Sequence, residues 1–208
     1  MQITVIGTGY VGLVTAACLA ANDNEVICID NDDRKITALQ SGQVPFYEPG
    51  LENLLRKCIQ KGNITFSDRH SDTSFSSEIY FIAVGTPQSE DGSVNMEYVF
   101  EATRHIGAGC KKDALVINKS TMAIGSSLEV QKIIDSEIIL RKAKIKVNVV
   151  ANPEFLREGS AIQDFTHPDR IIVGSIDEKA ICKLKQLYAP FLSSEESNFI
   201  SMDPLSAE

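Results

Sequence analysis

Ile3-Thr4-Val5-Ile6-Gly7-Thr8-Gly9-Tyr10-Val11-Gly12 stands near the start of the chain, and its reading decides the fold. An apolar, β-branched run predicts a buried strand, a Gly-x-Gly-x-x-Gly turn follows at once, and a helical pattern begins inside that turn. Gly7 permits the tight turn, Gly9 lets backbone approach a phosphate, and Gly12 lets the helix pack close to the strand. The helix start offers free N–H groups and a partial positive charge to an anion. A glycine turn alone also arises for structural reasons, so the context matters. The second apolar run, 25–29, ends in Asp30, about 20 residues beyond the glycines, where a carboxylate can hold the adenosine ribose 2′-hydroxyl. The stretch predicts a dinucleotide site.

Outward from this unit, apolar runs at 64–66, 79–84, 114–118, 146–150 and 170–173 alternate with helical patterns at 11–21, 33–41, 50–61, 96–109, 126–141 and 178–188. Consecutive Val and Ile suit parallel strands buried on both faces. The β-α-β-α order predicts an α/β fold: a doubly wound, mainly parallel, Rossmann-like sheet with helices on both faces. Pro49, in Glu48-Pro49-Gly50-Leu51, is expected in the first turn of its helix.

The acidic run Asp30-Asn31-Asp32-Asp33 disfavours a 2′-phosphate, and no Arg directly follows Asp30, so NAD is expected rather than NADP. Arg34 and Lys35 weigh the other way. Lys35, one turn into the second helix, either reaches the adenosine end or is an exposed surface cation. FAD shares the fingerprint, and glycines alone do not separate the two.

The net charge of −8 argues against non-specific nucleic-acid binding, though a local pocket can be positive on an acidic protein. No signal-like or membrane-spanning stretch is present, which suggests a cytoplasmic protein with no membrane partner. The five cysteines (18, 28, 58, 110 and 182) show no Cys-x-x-Cys, so neither disulfides nor zinc are expected.

In an open parallel sheet, ligands collect at the carboxyl ends of the strands. Three such ends are polar: Val84-Gly85-Thr86-Pro87, Asn118-Lys119-Ser120-Thr121, and Asn152-Pro153-Glu154-Phe155-Leu156-Arg157-Glu158-Gly159. Thr86 and Ser120 fit capping or turn chemistry equally well. Glu154 and Glu158, four residues apart, share a face if a helix begins near Pro153. Lys119 and Arg157 either supply positive charge at this mouth or are solvated side chains.

Together these motifs, with Phe46-Tyr47-Glu48-Pro49-Gly50-Leu51 and their order along the chain, resemble the UDP-glucose/GDP-mannose dehydrogenase family. Ser160-Ala161-Ile162-Gln163-Asp164-Phe165 and Pro168-Asp169-Arg170 look most like its UDP-glucose 6-dehydrogenase branch. The resemblance implies NAD-dependent, four-electron oxidation of the sugar's primary alcohol to a carboxylate, through an aldehyde and a cysteine-bound thioester. Glu154 would be the catalytic acid/base or water-activating residue. Glu154, Phe155, Leu156 and Arg157 would line the sugar-nucleotide site. Gly7, Gly9, Tyr10, Val11, Gly12, Asp30, Lys35, Thr86, Thr121 and Glu158 would contact NAD.

The family's nucleophilic cysteine has no counterpart among the five here, so the resemblance suggests a fragment that binds NAD and is inactive alone. Residues 1–200 would form the NAD-binding domain, and 201–208 would begin a linker to central helices and a C-terminal domain. Those helices would make the whole protein a homodimer or larger. Dehydrogenases for GDP-mannose or a UDP-N-acetylhexosamine, and a non-catalytic NAD-binding module, are the competing readings.

Overall fold

The structure, a computed structural model, describes residues 1–192 and 198–208. Among them, eight strands form one sheet: β1 (Gln2–Ile6), β2 (Glu25–Ile29), β3 (Ile64–Ser67), β4 (Ile79–Ile82), β5 (Ala114–Asn118), β6 (Val147–Ala151), β7 (Ile171–Gly174) and β8 (Phe199–Met202). Their order is β3-β2-β1-β4-β5-β6-β7-β8. Neighbours from β3 to β6 run parallel, β7 is antiparallel to β6, and β8 is parallel to β7. The first six strands thus have the doubly wound order expected from the sequence. Their winding reverses between β1 and β4, which opens a crevice at the carboxyl ends of those two strands.

Side chains alternate across the sheet, as strand geometry requires. Ile79 and Phe81 of β4 join one core with α1 (Tyr10–Ala21), α2 (Asp33–Gln40), α3 (Leu51–Lys61), α6 (Ala161–Thr166) and α7 (Glu178–Tyr188). Tyr80 and Ile82 join the other with α4 (Glu97–Gly109) and α5 (Ser126–Leu140). Helix α1 is buried almost all round, from Gly12 to Ala20, because sheet, α3 and α6 all press on it. Its Ala16, Ala17 and Ala20 permit that crowding, and an all-round apolar helix belongs in the interior. No helix among the described residues is long and apolar enough to cross a membrane.

Several elements differ from the sequence reading. Residues 152–157 are irregular and lead into a turn, so Glu154 and Glu158 do not share a helix face. Pro49 precedes α3, whose N-cap is Gly50. Helix α6 and strand β8 are too short to show a period. Strand β8 spans residues 199–202, and α8 (Pro204–Ala207) sets Ala207 against Gly174 of β7.

Away from the strand ends, the half-buried His70 stacks on Phe75 with ring centroids 4.9 Å apart, and His105 meets it edge-on at 5.9 Å. Burial, with His105 adding to it, pushes the His70 pKa down from 6.5 to about 4. A depressed histidine is neutral in the fold but protonates when unfolded. Its stabilising contribution is therefore complete above the unfolded value and is lost as pH falls from 6.5 towards 4. His70→Gln should flatten that stretch of the urea-midpoint-versus-pH curve; an unchanged slope would refute the burial argument.

Candidate functional site at the carboxyl ends of the strands

The glycine turn is built by exclusion. Gly7 has φ +95°, and its N–H donates to Ile29 O at 2.8 Å. A Cβ there would lie 2.5 Å from Ala83 O, and one on Gly12 would lie 2.0 Å from Gly7 O. The end of β4 and the start of α1 therefore clamp the turn from two sides. Gly9 is different: an added Cβ would meet nothing within 4 Å, so its side of the turn is open. Helix α1 has no side-chain cap and no acidic residue in its first turn. The partial positive charge of its N-terminus is left for a ligand.

Asp30, directly after β2, ties this turn to the second strand. Its Oδ2 accepts from Thr8 N at 2.8 Å, Thr8 Oγ1 at 2.7 Å and Lys35 Nζ at 2.9 Å, while Oδ1 accepts from Asp32 N at 3.1 Å. Burial raises the Asp30 pKa, but the bonds from Lys35, Thr8 and Asp32 outweigh it and hold the carboxyl below its usual value. Lys35 is thus an ion-pair partner as well as a cation at the edge of the crevice. Asp32 caps α2 by accepting from Arg34 N and Lys35 N.

The other polar strand ends converge on the same edge. The amides of Lys119 and Ser120 donate to Ile82 O, and Ser120 Oγ donates to Val84 O at 2.7 Å, which locks the end of β5 to that of β4. Thr86 is half-buried and Thr121 exposed on these two loops. In the segment after β6, Glu154 folds back to accept from Leu156 N at 2.6 Å. Tyr10, first residue of α1, donates its phenol proton to Leu156 O, so the glycine turn and this segment are tied directly. Burial and then the charges of Glu154 and Glu158 push the Tyr10 pKa up to about 12. Exposed Arg157 is engaged by Asp164 through both carboxylate oxygens.

Glu48 holds the segment from below. It is buried, and accepts from Gly159 N at 2.8 Å and from Ile162 N at 3.2 Å, capping α6 from far away in sequence. Glu48→Ala leaves both amides without their acceptor, and a lost charge-assisted bond of this kind costs about 1.5–3 kcal/mol. A matching fall in stability, with faster amide exchange at 159–162, is expected; an unaltered melting curve would argue otherwise.

A cavity of about 380 Å³ lies beside this segment, lined by Lys119, Asn152, Phe155, Arg157, Arg170 and Tyr188 among others. Its floor is a network: Tyr188 Oη donates to Asn152 Oδ1 at 2.6 Å, and Asn152 Nδ2 donates to Ile172 O at 2.7 Å.

Comparison with known proteins bears on what this edge does. The model of the NAD binding domain of the UDP-glucose/GDP-mannose dehydrogenase family matches residues 1–192. The chain belongs to this family.

Among its relatives, the UDP-glucose 6-dehydrogenase of Pseudomonas aeruginosa is 44% identical over 94% of this chain and 43% of its own length. UDP-glucose 6-dehydrogenase YwqF of Bacillus subtilis is 43% identical over 92% of this chain and 43% of its own. A UDP-glucose dehydrogenase structure from Pyrobaculum islandicum superposes with a TM-score of 0.90 at 34% identity, covering 99% of this chain and 47% of that one. The chain therefore spans less than half the length of these relatives.

The cofactor of this NAD-binding domain is NAD, and the geometry fits it. The open side of Gly9, the uncapped helix start and a carboxylate after β2 are what a dinucleotide in this crevice requires. The structure brings Gly7, Gly9, Tyr10, Val11, Gly12, Asp30 and Lys35 into one wall, and Tyr10 joins Glu154 and Leu156 to it. Thr8, Glu48 and Tyr188 were given no role in the sequence reading, and Lys119, read there as positive charge at this mouth or as a solvated side chain, is buried. Glu48 lay in a quoted motif, but nothing local names its partners. Its acceptors' donors are 111 and 114 residues away.

Proposed function

We propose that this chain is the NAD-binding part of an enzyme that oxidises the primary alcohol of UDP-glucose to a carboxylate. The observation that carries the reading is the Tyr10–Leu156 tie, which sets Glu154 and the open glycine turn at one edge of one sheet. The names of the relatives support UDP-glucose as substrate. When bound, NAD supplies the hydride acceptor; the chain's own residues orient and exclude. Gly9 and the first amides of α1 receive the phosphates, and Asp30 receives the adenosine ribose. Thr86, Thr121 and Glu158 face the rest of the cofactor. Phe155, Leu156 and Arg157 line the sugar-nucleotide side. Glu154 moves the proton, towards water or substrate oxygen.

In the same reading, residues 1–208 alone bind NAD without turnover. A thioester step needs an accessible thiolate, whereas Cys18, Cys28, Cys58 and Cys110 are buried. Burial pushes the Cys18 thiol up to about 12 and raises Cys28 as well. Such thiols are inert. Cys182 is exposed, but it sits on α7 outside the cavity wall. Assembly into a dimer or larger, through segments outside these residues, belongs to the same proposal.

The test is NADH formation by the complete gene product with UDP-glucose, GDP-mannose and a UDP-N-acetylhexosamine side by side. UDP-glucose should give the largest kcat/KM; preference for another sugar nucleotide would reassign the substrate. Glu154→Gln should slow turnover by about 100-fold or more while leaving NAD affinity nearly unchanged, as expected for a proton-transfer residue. A near-wild-type rate would remove Glu154 from that role.

A further inference from the structure

Helix α5 begins without a cap of its own. The first amides of a helix have no partner inside it, and a Ser, Thr, Asp or Asn at the N-cap commonly supplies one. Here the N-cap is Gly125, at φ +91°, with no side chain to offer. The acceptor comes instead from Glu208, whose Oε2 accepts from Gly125 N at 2.5 Å and whose Oε1 accepts from Ser127 N at 2.7 Å. Both carboxylate oxygens thus serve one helix start, where the helix dipole also favours a negative charge. The partners lie 83 and 81 residues apart in sequence.

Each side of this contact is anchored. Glu208 directly follows α8, which Asp203 caps by accepting from Ser206 N at 3.1 Å. The preceding Ala207 is buried against Gly174 of β7. On the other side, Asn118 Nδ2 donates to Ser127 Oγ at 3.1 Å, which joins the first turn of α5 to the end of β5. Residues 119–124 run between these points. Lys119 and Ser120 are tied to β4, and Ala123 O accepts from Ser126 N at 3.1 Å and Ser126 Oγ at 2.6 Å. Among the described residues, the amides of Thr121, Met122, Ala123 and Ile124 donate no hydrogen bond. Of these four, Met122 packs on the core and the others are exposed. The course of the loop is therefore set mainly by its two ends, one at β4 and one at the start of α5.

A local cap would satisfy the same amides. Supplying it from Glu208 has a further consequence, because the second end of the loop then holds its place through the docking of α8 on β7. We infer that Glu208 is a positioning residue for this loop, its grip on the start of α5 fixing where Thr121 stands. The inference rests on the proposed function at one point, the contact of Thr121 with NAD.

Calorimetric titration of the complete gene product with NAD, well below its melting temperature, is the test. Glu208→Ala should weaken NAD binding by about 5-fold or more, within the range of coupling between residues of one network. Amide exchange across 121–127 should quicken in the same variant. Glu129→Ala controls for general loosening of α5: it removes an exposed carboxylate from the first turn of that helix and should leave NAD affinity unaltered. Thr121→Ala should also weaken NAD, and the double variant should lose less than the two losses combined, since Glu208 acts through Thr121. If Glu208→Ala fails to fold, Glu208→Gln, which keeps one acceptor oxygen, carries the decision with a smaller loss. Wild-type NAD affinity in the folded Glu208 variant, an equal loss in Glu129→Ala, or losses that simply multiply would overturn the positioning role. Wild-type affinity in Thr121→Ala would remove Thr121 from the cofactor site, a failure of the proposed function that takes the inference with it. A loss in Thr121→Ala with none in the Glu208 variant removes the inference alone.

Discussion

Gly12→Ala is expected to abolish NAD binding and to lower stability by about 3 kcal/mol, the upper part of the usual overpacking range. The new Cβ would sit 2.0 Å from Gly7 O and 3.2 Å from Ala83 Cβ. Backbone oxygen cannot rotate away as a long side chain does, so α1 must move off β1 and β4. That motion displaces the N–H groups proposed to face the phosphates. For a chain of this size, about 3 kcal/mol corresponds to a fall of roughly 6–12 °C in Tm. Gly9→Ala provides the contrast: its Cβ meets nothing within 4 Å, and φ −66° suits any residue. Stability should be kept, while NAD affinity falls because a methyl group now stands on the open side of the turn. Thermal melts and calorimetry of both variants separate packing from binding. Wild-type affinity in Gly12→Ala would contradict the clamp, and wild-type affinity in Gly9→Ala would contradict the phosphate position.

The second large effect is expected at Asp30. Asp30→Ala removes the acceptor of the Thr8 amide and hydroxyl, a residue with no exposed surface, and frees Lys35. NAD binding should weaken by about 10–100-fold, since a hydrogen bond to a charged group contributes about 1.5–3 kcal/mol and the turn also loses its tie. The gap between NAD and NADP should narrow in the same variant. In the proposed pose a 2′-phosphate would meet Asp30 and the neighbouring Asp32 and Asp33 in the wild type, and Lys35 is held by Asp30. Without Asp30, that ammonium is available to the extra phosphate. Calorimetry with both dinucleotides reads the two effects together. Unchanged NAD affinity would dismiss Asp30 as the ribose partner, and equal NAD and NADP affinities in the wild type would dismiss the acidic run as the discriminator.

The parts of the site that were legible from sequence are those whose cause is local. The Gly7, Gly9 and Gly12 spacing states a steric requirement within a single turn, and Asp30 follows its strand directly. Strand burial shows as consecutive Val and Ile, and amphipathic helices show as a repeat. Other parts had no such mark. Glu48 resembles any acid near a helix start until the fold places the amides of Gly159 and Ile162 against it. Glu208 likewise caps α5 through Gly125 N and Ser127 N, from the far end of the chain. Helix α6 and strand β8 are shorter than the window in which a period can be counted. The expectation that Glu154 and Glu158 share a helix face failed because Glu154 bonds to Leu156 N instead, a turn that competes with helix.

Taken alone, the order of residues determined the doubly wound architecture, the dinucleotide turn and the strand edge where chemistry gathers, since each follows from steric rules acting over a few neighbouring positions. Tertiary structure alone decided which carboxylate meets which amide, that Tyr10 reaches Leu156, and that Lys119 is buried with Asn152 as its hydrogen-bond acceptor. Those facts depend on packing between segments distant along the chain, and a charged or polar side chain carries no local signal of the partner that the folded backbone will bring to it.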